Sequence, residues 1–109
     1  MTIEQADRID FIGVDDITGS VILTIADHLD WVDTGFHLSK LQGKLNCYLR
    51  FCESGELYDT YPNARGRKVV FSIIAKYPFP TEALSFFTKA KYAIQDAGFG
   101  LEVVGAERL

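Results

Sequence analysis

With only two cysteines in 109 residues, the chain lacks the material for a disulfide scaffold or a cysteine-rich metal fold. Cys47 and Cys52 are not in Cys-x2-Cys spacing and neither has a histidine beside it, which excludes a zinc knuckle. Five residues apart on a helical segment, they project in different directions, so a mutual disulfide is not expected and two reduced, buried thiols are. No apolar run approaches the roughly 18 to 20 residues that a membrane span needs. An excess of basic residues is also missing. Eleven Lys and Arg against fifteen Asp and Glu leave a net charge of −4, which disfavours a nucleic-acid backbone as partner. A glycine-rich phosphate loop, a serine elbow and a Cys-His-Asp spacing are all absent. The start, Met1-Thr2-Ile3-Glu4-Gln5, lacks the basic and apolar regions of a signal peptide, and a cytoplasmic location is the expectation.

What is present describes a folded domain. A hydrophobic share of 48% beside 24% charged residues, with eight phenylalanines, supplies a core and argues against disorder. The length suits one domain over residues 1–109.

Ile9 to Val14 and Ser20 to Ala26 read as strands joined by the turn residues Asp15-Asp16-Ile17-Thr18-Gly19, which predicts an antiparallel hairpin. From Asp33 to Ser54, Leu38, Leu41, Leu45, Tyr48, Leu49 and Cys52 recur at helical spacing, with Lys40, Lys44, Arg50 and Glu53 on the other faces. Asp30, Asp33 and Thr34 are candidate N-caps, and Gly55 is the natural C-terminal stop. Glu56 to Gly66 reads as loop with a short irregular turn at Glu56-Leu57-Tyr58. Arg67 to Tyr77, apolar on both faces, reads as a central strand ended by Pro78 and Pro80. A second helix follows through Ala83, Leu84, Phe87, Ala90, Ile94 and Ala97. Gly98 ends it with Phe99 as capping contact, and Leu101 to Val104 forms a last strand.

The expected fold is therefore α+β: a two-layer α/β sandwich of order ββαβαβ, its four-stranded mixed sheet carrying two helices on one face. Strand orders 1-2-3-4 and 2-1-3-4 both remain open. With Ile9, Phe11, Val21, Leu23, Ile25, Val69, Phe71, Ile73, Leu101 and Val103 facing the helices, alternation sends Ile12, Val14, Ile22, Val70, Ile74 and Val104 outward. So apolar an outer face predicts a homodimer through the sheet, although Thr24, Ser72, Lys76 and Glu102 interrupt the patch.

Parallel strands present ligands beyond their carboxyl ends, and that edge joins Asp27-His28-Leu29-Asp30-Trp31 to Lys76-Tyr77. Asp27, His28, Asp30, Trp31, Lys76 and Tyr77 are thus candidate ligand-binding residues, with His28 moving a proton, Asp27 or Asp30 orienting it, and Trp31 and Tyr77 forming a wall. A structural account competes: Asp30 caps the helix, Trp31 packs as a staple, and His28 satisfies a loop carbonyl. A divalent metal shared among His28, Asp30, Asp33 and His37 is a variant of the site reading. Arg65, Arg67 and Lys68 form the one basic cluster and are candidate anion-binding residues. No cofactor or catalytic nucleophile is indicated. The expectation for function is a small non-enzymatic binding module, dimeric and with a protein partner in view; the alternative is a small enzyme or metal-binding protein built on Asp27, His28 and Asp30.

Ile9-Asp10-Phe11-Ile12-Gly13, Leu23 through Trp31, Glu53-Ser54-Gly55-Glu56-Leu57 and Gly66-Arg67-Lys68-Val69-Val70 together resemble a family of short uncharacterised bacterial proteins, a domain of unknown function. The Asp-His-Leu-Asp-Trp run is its most specific element, and the resemblance spans nearly the whole chain. It implies a stand-alone, cytoplasmic bacterial protein of one domain and carries no reaction with it.

Overall fold

The β-branched and aromatic runs form four strands, which the computed structural model, describing residues 9–104, joins into one mixed sheet. These are β1 (Phe11–Val14), β2 (Val21–Asp27), β3 (Val69–Ala75) and β4 (Gly100–Val104), in the spatial order β1-β2-β3-β4. β1 runs antiparallel to β2, while β2, β3 and β4 are parallel. Between the parallel strands run α1 (Thr34–Glu53) and α3 (Ala83–Asp96), and both pack on one face of the sheet. The observed class is the expected α+β sandwich. One element is added: α2 (Glu56–Thr60), followed by a single 3-10 turn at Pro62–Ala64. Gly55 at φ 86° reverses the chain out of α1, and the fully buried Leu57 holds α2 against the core.

Alternation in β2 and β3 sends Val21, Leu23, Ile25, Val69, Phe71 and Ile73 into the core, where they meet Leu41, Leu45 and Tyr48 of α1 and Ile94 of α3. Gly98, at φ 95°, ends α3 by donating to Gln95, while the Phe99 amide donates to Ile94. That paired closure places the Phe99 ring in a stack on Phe71 with centroids 5.7 Å apart.

β1 departs from expectation. Its register pairs Ile12 with Leu23 and Val14 with Val21, so Ile12 and Val14 face the helices and Phe11 points outward, 58% exposed. The cause is the hairpin loop. Residues 15–20 are even in number, which pairs even positions of β1 with odd positions of β2. Hydrogen bonds from the Ile17 amide and the Thr18 hydroxyl to the Asp15 carboxylate fix the loop and hold that carboxyl below its usual range.

The same parity turns Asp10 inward, where it is 3% exposed. On α1 the buried stripe is His37, Leu41, Lys44, Leu45, Tyr48 and Cys52, so Lys44 lies in the core and not on the solvent face. The Lys44 ammonium donates to Asp10 Oδ1 at 3.0 Å, and the Ala26 amide donates to Asp10 Oδ2 at 2.9 Å. The Asp10 amide donates to the Tyr48 hydroxyl at 2.9 Å, and that hydroxyl in turn donates to the Thr24 carbonyl. One helix face thereby ties down the open end of the hairpin.

Candidate functional site

Continuing the inward alternation of β2, Asp27 is the last strand residue and reaches the first buried position of α1, His37. His37 Nε2 lies 2.6 Å from Asp27 Oδ2 and 2.8 Å from Oδ1, and its Nδ1 donates to the Asp30 carbonyl at 2.8 Å. The two side chains are each 1% exposed. Trp31 closes over the imidazole, with ring centroids 3.6 Å apart and planes inclined by 17°. Phe87 of α3 meets Trp31 edge-on at 6.5 Å. The indole Nε1 is buried without a hydrogen-bond partner among the described residues.

The run Asp27 to Trp31 is thus divided among several tasks. Asp27 serves His37 and also accepts from the Leu29 amide at 3.2 Å. Asp30 uses its side chain on the Val32 amide, leaving the helix N-cap to Asp33, which accepts from Phe36 at 3.0 Å. His28 is exposed and lines a shallow hollow of about 230 Å³ with Asp27, Lys76 and Ile74. Trp31 lines a different hollow, of about 470 Å³, with Pro78, Phe79, Pro80, Thr81 and Glu82. Tyr77 is 40% exposed, and the Lys76 ammonium sits 5.4 Å above its ring. The residues grouped by sequence therefore occupy one sheet edge without lining one cavity.

His37 is the site residue that the ligand-edge argument did not include. A signal for it existed. Asp27 continues the buried alternation of Val21, Leu23 and Ile25, and His37 lies four residues before Leu41 on the buried face of α1. A buried carboxylate facing a buried imidazole follows from those two periodicities together.

Chemically, the pair is closed. A catalytic histidine keeps one ring nitrogen for substrate or nucleophile while the other is oriented by its partner. Here the protein occupies both nitrogens and an indole covers the ring. Among the described residues no group of three His, Cys, Asp or Glu side chains is placed to hold a metal ion.

The basic cluster is also engaged locally. Arg67 donates from Nε to the Asn63 carbonyl and from Nη1 to the Gly19 carbonyl, each at 2.9 Å, pinning the hairpin loop to the turn before β3. The Arg65 guanidinium lies 5.4 Å from the Tyr58 ring centre, and Lys68 is exposed. Of the thiols, Cys52 is buried and Cys47 half-buried, and burial, with the charge of Glu53 adding to it, pushes the Cys52 thiol up to about 12. No helix among the described residues is long and apolar enough to cross a membrane.

The model of a family described as of unknown function (DUF6572) matches residues 1–107. No curated protein and no solved structure is significantly similar to the chain.

Proposed function

Because the chain belongs to this family of unknown function, membership supplies no reaction, and we propose from its geometry a small non-enzymatic binding module that self-associates through the open face of its sheet. The observation that carries the reading is the face opposite the helices. There Phe11, Ile74 and Val104 are 58%, 41% and 42% exposed, and Ile22 and Val70 fill the space between them. No described element covers this face.

A second copy is the occupant that charge favours. Copies with a net charge of −4 repel, so contact is least opposed where charge is sparse. Glu102, which accepts from Ser72 at 3.2 Å, is the one charged residue within the strands of that face. Four strands at about 4.8 Å spacing and some six residues of about 3.3 Å rise give a plane of roughly 20 by 20 Å. Two copies would bury on the order of 1,000 Å², the low end for a specific interface, which corresponds to a weak dimer. The closed Asp27–His37 pair supports the non-enzymatic part of the reading.

Light scattering at about 50 µM tests the proposal. The expected mass rises above that of the monomer towards twice its value, and Ile74→Lys returns it to the monomer with the circular-dichroism spectrum of the fold retained. A native monomer at that concentration contradicts the reading, as does a dimer that Ile74→Lys leaves intact.

A further inference from the structure

His37 presents two ring nitrogens to oxygen atoms, and its hydrogen-bond geometry requires more protons than a neutral imidazole carries. A neutral ring has one N–H and one lone pair. Nδ1 faces the Asp30 carbonyl at 2.8 Å, an atom that can only accept. Nε2 faces both oxygens of Asp27, at 2.6 and 2.8 Å. Whichever nitrogen carries the proton of a neutral ring, the other sets a lone pair against an oxygen acceptor, the Asp27 carboxylate or the Asp30 carbonyl, in a site from which water is excluded. From this geometry we infer that the folded protein holds an extra proton on His37, and that the resulting imidazolium latches the exit of β2 onto the first turn of α1. The proposal goes beyond self-association and does not depend on it.

Placement of the proton on the ring, and not on Asp27, follows from basicity: a free imidazole is the stronger base by over two orders of magnitude, roughly. The stack of Trp31 is an independent observation in the same direction. At 3.6 Å and 17°, the indole lays its electron-rich face on the imidazole, an arrangement that a cation strengthens. The charges around the ring are few. Asp27 faces it from β2; Asp33 and Lys40 lie one turn either side on α1, with Asp33 committed to the helix cap and Lys40 over the Phe36 ring. The Lys44–Asp10 pair follows along the same buried stripe. From the segment after β3, Lys76 leans on Tyr77 and Glu82 lines the hollow beside Trp31. From α3, Phe87 meets the Trp31 ring and packs in turn on Phe79.

Loss of a proton from either nitrogen sets a ring lone pair against an oxygen of Asp27 or of Asp30 and loosens the loop that carries Trp31. The chain's single tryptophan is therefore a built-in reporter of the latch. The test is carried out on the native protein. Nitrogen NMR of the two histidine rings, with His37 assigned by its proximity to Trp31, is recorded upward from neutral pH alongside tryptophan emission excited at 295 nm. The expected result is two protonated ring nitrogens in His37 at neutral pH, and a red shift of Trp31 emission in the same pH step that removes one of the two protons. An unprotonated ring nitrogen of either kind at neutral pH overturns the inference, and so does deprotonation with the emission maximum unmoved. An Asp27→Asn variant checks the cause, because a neutral amide no longer holds the cation and one ring nitrogen is then unprotonated at neutral pH. Two protonated ring nitrogens in that variant overturn the assignment of Asp27 as the counter-charge.

Discussion

Lys44 is the residue on which the hairpin end depends most. Its ammonium is fully buried, and among the described residues its partner Asp10 receives a second hydrogen bond from the Ala26 amide. Replacing Lys44 by methionine keeps the volume and strands a carboxylate in the core, which costs about 3 kcal/mol or more. Urea unfolding of Lys44→Met, of Asp10→Asn and of the double variant measures it. The double variant is expected to lose less than the sum of the two, because the two side chains are in direct contact and their effects are coupled. Cys52 gives a second prediction at this scale. Its thiol is raised from 9.0 to about 12, so the folded state favours the neutral form. A raised acid contributes its stability below the unfolded value, and that contribution is lost as pH rises from about 9 towards 12. Burial also holds the Tyr48 phenol well above its ordinary range, partly offset by the Asp10 amide, and acts in the same direction. The urea midpoint is thus expected to fall between pH 8 and pH 10, and to fall less in Cys52→Ala. In native protein a thiol reagent should modify the half-buried Cys47 well before Cys52.

Elements are held by their ends. Asp33 caps α1 through the Phe36 amide, so Asp33→Ala should cost about 1 kcal/mol in thermal or urea unfolding. Asp30→Ala, which removes an exposed bond to Val32 outside the helix, should cost less. Most of this scale was legible in the sequence. The period of two in β2 and β3, the helical period of α1 and α3, and the glycines at 55 and 98 each encode a local geometry, and the structure has those elements in those places. What was not legible was the parity of β1. Nothing in Phe11-Ile12-Gly13-Val14 distinguishes its two faces, since both carry apolar residues, and the loop length that decides between them is a property of the folded turn. That single parity accounts for two departures together. Once Asp10 points inward, a cation on α1 can meet it, and Lys44, which its charge assigns to solvent although it shares a face with Leu41 and Tyr48, becomes part of the core. The candidate site was legible to a lesser degree. Asp27 and Trp31 stood out as a local run, whereas His37 is separated from Asp27 by ten residues, and only the packing of strand on helix joins them.

At the scale of the whole molecule, the single layer of helices among the described residues buries one face of the sheet and leaves the other, apolar face uncovered by any described element. Two-layer sandwiches commonly make that second face polar. Here the strands contribute Phe11, Ile22, Val70, Ile74 and Val104 to it, with Glu102 as the lone charge. At the carboxyl edge of the same sheet lies the closed Asp27–His37 pair. The helical side offers a contrasting surface, the groove of Leu45, Leu49, Phe86 and Ala90 between α1 and α3, which makes the choice of face open to direct observation. Isotope-filtered NOE spectroscopy on an equal mixture of labelled and unlabelled protein, at a few hundred micromolar, reads contacts between copies. The account predicts intermolecular contacts from the Phe11 ring and the methyl groups of Ile74, Val70 and Val104. Contacts confined to the groove between α1 and α3, or no intermolecular contact at all, would contradict it.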